Sequence, residues 1–337
     1  MAHKFKVGIS GAGTIGAIHA DALANIDSAT LLAVAEPRAD AGQSFAEKYG
    51  CTHYTSYPEM LTDADIDLVI VATPSGLHPD QVVLAAEHGK HVITEKPMAI
   101  TEDGLDRMIR ATSNANVQMA VIFQNRLSSD VYRVKRGIEQ GVFGKPILAN
   151  CVLYWHRDQS YYDANGGWRG TWALDGGGAL MNQAIHQVDQ LQWMMGGVQE
   201  VKAFTATLNH TIETEDTAAA AFVYANGAIG TITATTCADR DYPFRIEIIG
   251  TTGRATLEQN ALVKWESEIP PEDVVLSDED HMLVDGWEAG EMWGLSHQRQ
   301  LRAIFSQIEQ GSPPYVTGTE ARAAVDVILS IYKDANG

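Results

Sequence analysis

In the stretch MNQAIHQVDQ, residues 181–190, an Asn, a His and an Asp stand at positions 182, 186 and 189. On an α-helix, spacings of four and three stack all three on one face. A histidine can take and return a proton near neutral pH, so His186 suits a general base. Asn182 cannot take a proton, but it donates and accepts, which fits orienting a substrate or fixing the His186 tautomer. Asp189, one turn beyond His186, suits an orienting partner of the imidazole or a bond to a substrate hydroxyl. The bland alternative is a polar seam around a hydrogen-bonded core histidine. A second group lies far upstream, where Gly11, Gly13 and Gly16 spell GxGxxG. Gly11 permits a tight turn, Gly13 lets a pyrophosphate approach the backbone, and Gly16 lets a helix lie close to a strand. A structural glycine turn is the bland alternative there.

The elements that must position these groups follow from pattern. FKVGIS is a strand, and an alanine-rich helix begins inside the glycine loop, so Thr14 and Ile15 join the expected cofactor contacts. The helix N-terminus offers N–H donors and a positive dipole end to phosphates. The next strand, TLLAVAEP, ends in Glu36, 20 residues after Gly16. A carboxylate there can bond both ribose hydroxyls of NAD and repel the 2′-phosphate of NADP. Arg38 softens that discrimination, so NAD is expected and NADP stays open. Strands and helices go on alternating to residue 125, which implies a doubly wound parallel sheet. Thr73-Pro74-Ser75, Glu95-Lys96-Pro97 and Gln124-Asn125-Arg126 fall at strand carboxyl ends, on the edge where ligands bind such sheets. His78 follows the ATPSG turn and is placed near the cofactor ribose or the substrate.

After Arg126 the pattern changes. A helix, a strand (KPILANCVLYWHR) and a Gly- and Trp-rich stretch lead to a helix over about 180–195, closed by Gly196-Gly197. Trp168 and Arg169 suit a ligand-binding wall, since aromatic rings offer a stacking face; Tyr154 and His156 are weaker candidates of the same kind. The bland reading for all four is packing. From 198 on, β-rich segments separated by turn signals imply an antiparallel meander. The fold expectation is therefore an N-terminal Rossmann domain at 1–125 and a C-terminal α+β domain at 126–337 with a large open, mainly antiparallel sheet. The C-terminal helix is free to pack back on the first domain. An open sheet needs a cover, so a homodimer or homotetramer through that sheet is expected. IPPEDVVLSDEDHMLVDGWEAG, at 269–290, reads as an acidic loop.

Bulk composition sets limits. At 337 residues, the chain is long enough for two domains. Its net charge of −19 argues against nucleic acid and anionic membranes as partners. Three widely spaced cysteines without a CxxC suggest reduced thiols in the cytoplasm. No His/Asp/Glu cluster has metal-ligand spacing, so no metal is expected. No run approaches the roughly 20 apolar residues of a membrane helix.

These pieces together resemble the Gfo/Idh/MocA family of sugar and polyol oxidoreductases. The similarity rests on GAGTIG at 11–16, ATPSGLH at 72–78, EKP at 95–97, GGGALMNQAIHQVD at 176–189, and GAIGTITATT and IEIIGTTG further on. It implies a Rossmann domain followed by a domain with a large open sheet, and an active site between the two. It also implies a cis peptide before Pro97, Lys96 as catalytic lysine and His186 as catalytic histidine. The lysine would bond the reacting oxygen and the nicotinamide ribose, favour a developing alkoxide and relay a proton. The family's inositol dehydrogenases have an Asp four residues before that histidine, where this chain has Asn182. The resemblance thus points to dehydrogenation of a secondary hydroxyl on a sugar, anhydrosugar or cyclic polyol, with hydride passing to nicotinamide. Inositol 2-dehydrogenation, internal redox on tightly bound NAD (a glycosidase or sugar-sugar oxidoreductase) and a non-catalytic nucleotide sensor are the rival readings.

Overall fold

A computed structural model describes residues 4–284 and 294–336. The chain divides into two units: Met1–Gln124 with Met292–Arg322, and Asn125–Glu291 with Ala323–Gly337. The part of the acidic stretch beyond 284 lies outside the described residues. Its described part is a short helical turn at Pro271–Asp273 and a helix at Asp278–Val284, so this portion is not the continuous loop expected.

The first unit is a six-stranded sheet. Its strands are β1 (Phe5–Ser10), β2 (Ala29–Ala35), β3 (Thr52–Tyr54), β4 (Leu68–Val71), β5 (His91–Thr94) and β6 (Met119–Val121). The order is β3-β2-β1-β4-β5-β6, and every pairing is parallel. β4 reads Leu-Val-Ile-Val with all four residues fully buried, the continuous apolar run of a strand covered on both faces. The helices of this unit are α1 (Thr14–Leu23), α2 (Ala39–Tyr49), α3 (Tyr57–Asp63), α4 (His78–Glu87) and α5 (Glu102–Asn114). A further helix returns from beyond residue 293 and places Leu301, Ile304, Phe305 and Ile308 in the core with Phe5, Ile9, Ala20 and Leu23. Phe305 stacks on Phe5 with centroids 5.2 Å apart. Unit 1 is therefore built from two separate stretches of chain.

The second unit holds α6 (Ser129–Glu139), α7 (Gln159–Asp163), α8 (Ile185–Met195) and α9 (Asp278–Val284). The returning helix of unit 1 is α10 (Leu295–Glu309), and α11 (Gly318–Ala335) ends the chain. Seven strands form the second sheet: β7 (Pro146–Tyr154), β8 (Val198–Ala206), β9 (Thr217–Tyr224), β10 (Ile229–Thr235), β11 (Arg245–Gly250), β12 (Arg254–Glu258) and β13 (Ala261–Glu266). Their order is β13-β12-β11-β7-β10-β9-β8. The sheet is mainly antiparallel, as expected, but it is not a plain meander. β7 enters its middle and runs parallel to β10. Along β7, Ala149, Cys151 and Leu153 are buried, while Leu148, Asn150 and Val152 on the opposite face are half-buried and Tyr154 is exposed, so one face is covered and the other is more open. Among the described residues no helix is long and apolar enough to cross a membrane.

Phe305 has no exposure, so Phe305→Ala should destabilise unit 1 by about 3–5 kcal/mol. Urea unfolding followed by hydrogen exchange of the β1 and β4 amides would register it. Unchanged protection there would mean that α10 adds nothing to the Rossmann core.

Candidate active site

The three glycines of the first loop have three separate physical reasons. Gly11 has φ +100°, and a Cβ there would meet the Ala72 carbonyl oxygen at 2.7 Å. A Cβ on Gly16 would lie 2.0 Å from the Gly11 oxygen, so α1 could not lie this close to β1. A Cβ on Gly13 would meet nothing within 4 Å. Gly13 caps α1 with no side-chain hydrogen bond, so the first-turn N–H groups of Thr14 and Ile15 have no side chain across them. That is an open cradle of the kind a pyrophosphate fills.

Glu36 follows β2 and is 4% exposed. Its carboxylate accepts from the Ala12 amide at 3.1 Å and from Arg38 Nε at 2.8 Å. Burial pushes this carboxyl up, but the bonds from Arg38 and the Ala12 amide outweigh it and hold the pKa below the ordinary value. An ionised carboxylate therefore closes one side of the glycine loop, with the mostly exposed Arg38 over it. Gln124, at the carboxyl end of β6, is buried with its Oε1 lacking a hydrogen-bond partner among the described residues. An acceptor left alone in a buried site fits a ligand donor. These features fit a dinucleotide.

The peptide between Lys96 and Pro97 is cis. Glu95 faces inward: it is 5% exposed, meets His19 Nε2 at 2.8 Å, and accepts from the Lys96 amide at 3.2 Å. Burial raises its carboxyl, and the bond from His19 together with the charges of His19, His297 and Lys96 more than offsets this, leaving it at about 2. His297 of α10 lies 3.7 Å from the same oxygen, and burial lowers its imidazole to about 4. Glu95 thus anchors the Lys96 backbone from within instead of offering its carboxylate to a cofactor. His78 also departs from expectation. Its Nδ1 is 2.9 Å from the Pro97 oxygen and its Nε2 is 2.9 Å from the Thr73 oxygen. At 1% exposure it ties the Thr73-Pro74-Ser75 loop to the Lys96-Pro97 loop and presents no nitrogen to a ribose or substrate.

In the second unit the segment with Asn182 and His186 opens as a π-helical turn over Ala179–Ala184 before continuing as α8. The expected α-helix is wider at its start, a form that recurs at functional sites. The apolar side of this segment, Met181, Ile185, Val188 and Met195, is buried throughout. The start of the segment is held by Glu215. Its carboxylate accepts the Gly178 amide at 3.1 Å, the Leu180 amide at 2.8 Å and the Tyr332 hydroxyl at 2.9 Å. Its main-chain oxygen accepts the Ala179 amide. The glycine run has its reason here. A Cβ on Gly177 would sit 2.1 Å from the Tyr332 hydroxyl, and one on Gly178 would sit 1.9 Å from the Glu215 carbonyl oxygen. The glycines make room for protein groups, not for a ligand.

Asn182 donates to Asp175 Oδ1 at 2.6 Å and accepts from Gln183 Nε2 and the Tyr161 hydroxyl. Asp175, 1% exposed, also accepts the Gly170 amide. His186 is half-buried on the next turn. Arg169 lies over the rings of Tyr161 and Trp168, 4.6 and 4.8 Å from their centroids. Two residues expected to contact substrate pair with each other instead. Arg126 and Asp189 are each 1% exposed and form a two-pronged ion pair, Nε to Oδ2 at 2.7 Å and Nη2 to Oδ1 at 2.5 Å. Tyr154 lies on the open face of the sheet with its hydroxyl on Thr233, and His156 bonds Ala238 and Asp158 at a turn. Asn125 is half-buried where the second unit begins.

Asp175, Gln183, Glu215, His19 and His297 are not marked as site residues by any motif in the sequence. The partners of Glu215, His19 and His297 are distant in the chain, and Asp175 and Gln183 meet Asn182 through the turn that precedes α8. A cluster of His210, Asp216 and Cys237 also converges, but both Asp216 oxygens already accept backbone amides of the 208–210 turn.

The family described as the oxidoreductase family with an NAD-binding Rossmann fold matches residues 5–123, and the GFO/IDH/MocA C-terminal domain matches residues 131–256. The myo-inositol 2-dehydrogenase of Thermotoga maritima is 28% identical over 330 residues, 95% of this chain and 93% of that protein. The levoglucosan dehydrogenase of Pseudarthrobacter phenanthrenivorans is 29% identical over 283 residues, 74% of this chain and 72% of that protein. Among solved structures, the WlbA dehydrogenase from Bordetella pertussis in complex with NADH and UDP-GlcNAcA is 34% identical, with a TM-score of 0.92, over 99% of this chain and 96% of that one.

Two predictions follow from the buried carboxylates. Asp189→Asn strands a buried guanidinium and should cost about 3–5 kcal/mol in urea unfolding; a change in substrate KM without loss of stability would return Asp189 to the ligand side. Burial raises the Glu215 carboxyl to about 7 from an ordinary 4.5. A raised folded-state pKa stabilises fully below 4.5 and loses that contribution as pH climbs through 7. Wild-type stability should therefore fall relative to Glu215→Gln across that window, and parallel pH–stability curves would refute the assignment.

Proposed function

The chain belongs to the Gfo/Idh/MocA oxidoreductase family, and from that premise we propose that Lys96 and His186 carry its chemistry. The protein is an NAD-dependent oxidoreductase acting on CH–OH groups of sugars or polyols. NAD, when bound, takes up the hydride that leaves the carbinol carbon. Lys96 offers a cation to the oxygen that loses its proton, which favours the developing alkoxide. His186 takes the hydroxyl proton as general base. Asn182, fixed by Asp175, Gln183 and Tyr161, orients the ring and stays neutral throughout. The observation that carries the cofactor half of this reading is the open cradle at Gly13 bordered by the ionised Glu36.

The open face of the second sheet supports a homodimer or homotetramer. Phe204 and Ile229, 83% and 57% exposed, share that face with Ala219, Ala221 and Thr231. An uncovered apolar face of this kind is the usual mark of an interface. Cys51, Cys151 and Cys237 are unbridged, which supports a reducing, cytoplasmic setting.

The test is NADH formation against a panel of sugars, nucleotide sugars and polyols. Lys96→Ala should lower kcat by about 10²- to 10⁴-fold. Unchanged turnover would remove Lys96 from the mechanism. NAD retained through purification would favour internal redox, and retention of cofactor with no turnover on any substrate would favour a sensor. Glu36→Ala should improve NADP use relative to NAD by about tenfold or more, since a carboxylate no longer faces the 2′-phosphate. Equal efficiency of the wild type with both cofactors would contradict the role given to Glu36.

A further inference from the structure

The second unit gathers cations where the chain as a whole is strongly acidic. Two guanidiniums approach the Tyr161 ring, Arg169 at 4.6 Å and Arg157 at 5.5 Å from its centroid. Arg157 is neutralised by Asp241 and bonded to Gln183 Oε1 at 2.9 Å. The partly buried or buried arginines Arg126 and Arg136 are likewise matched to carboxylates. Arg169 is different. It is half-buried between Tyr161 and Trp168, and among the described residues no hydrogen bond or ion pair reaches its guanidinium. Stacking uses the faces of that group and leaves five N–H donors along its edge, the arrangement that binds carboxylate or phosphate two-pronged.

The position of this cation relates it to the reaction. The Tyr161 hydroxyl donates to Asn182 at 3.3 Å and accepts from Gln183 at 2.8 Å. Arg169 is thus one aromatic ring away from the segment that carries His186. A net charge of −19 repels anions at long range, so an acidic substrate needs a local cation of this kind. A neutral polyol or anhydrosugar needs none.

Resting on the dehydrogenase reading above, we infer that the substrate carries an acidic group, a carboxylate or a phosphate, and that Arg169 grips it. Inositol and levoglucosan have no such group. UDP-GlcNAcA, bound in the WlbA structure, has both.

Calorimetric titration of the full chain with NADH present tests this without turnover. The probes are UDP-GlcNAcA, UDP-GlcNAc (the same diphosphate without the carboxylate), D-glucuronate, myo-inositol and levoglucosan. The acidic probes should bind more tightly than the neutral ones. Arg169→Met should weaken UDP-GlcNAcA by about 100-fold, and Arg169→Lys should recover only part of that. Loss confined to UDP-GlcNAcA and D-glucuronate identifies the carboxylate as the recognised group; equal loss for UDP-GlcNAc identifies the phosphate. Tightest binding by myo-inositol or levoglucosan, no binding by any acidic probe, or unaltered affinity in a folded Arg169→Met overturns the inference. Tight, Arg169-dependent binding with no NADH formed from any probe would instead sink the dehydrogenase reading and leave this one standing.

Discussion

The Glu215 carboxylate is 4% exposed and accepts hydrogen bonds from two consecutive-turn amides and a tyrosine hydroxyl. A carboxyl taken so far from water costs several kcal/mol unless its oxygens are satisfied. Here they are satisfied by the start of the segment that carries Asn182 and His186. Helix N-termini leave four N–H groups without intrahelical partners, and side-chain capping is the usual remedy. Glu215 supplies that remedy from the loop before β9, with its own carbonyl taking the Ala179 amide between the two side-chain bonds. Everything nearby is arranged around this contact. Gly177 and Gly178 are glycine because Tyr332 and Glu215 occupy the space their side chains would need. The π turn follows, and it sets the direction in which Asn182 leaves the segment.

The first unit uses the same device for Lys96. Glu95 is buried, keeps its charge through His19, and bonds the Lys96 amide. His78 then ties the Pro97 carbonyl to the Thr73 carbonyl. In both units a buried polar group fixes the backbone, and the residue assigned to chemistry is its neighbour. A side chain held this way loses little freedom when it meets a ligand, which is how a positioned group becomes effective. The buried and strongly shifted groups Glu95, Glu215 and His297 are accordingly supports and not reactants.

Local pattern made the architecture legible. The parallel sheet, its strand carboxyl ends and the three glycine roles all depend on short-range spacing, and Gly11, Gly13 and Gly16 have the environments that spacing demands. The covered stripe of α8 could be read for the same reason. The misreadings share a cause too. Arg126 and Asp189 are 63 residues apart and looked like separate ligands at a strand end and on a helix face, yet they satisfy each other inside the second unit. His78 looked available because a histidine after a turn usually is; its two carbonyl partners come from different loops. The insertion of β7 between β10 and β11, and the return of α10 to the Rossmann core, are long-range choices that periodicity does not encode.

Asn182 is a neutral residue on the face that carries His186, and Asp175 supplies the physical reason for its neutrality. The Asn182 amide nitrogen is 2.6 Å from Asp175 Oδ1. An aspartate at 182 would set two carboxylates against each other in a nearly dry site, and one would be forced to hold a proton. With Asp175 buried and already accepting the Gly170 amide, a neutral donor is the side chain that position 182 can hold without disturbing it. The carboxylate of this pair thus stands at 175, one layer behind position 182, where it holds Asn182 in place. With no carboxylate at 182 to oppose an acidic substrate, the absence of charge at that position and the unmatched guanidinium of Arg169 favour the same chemistry.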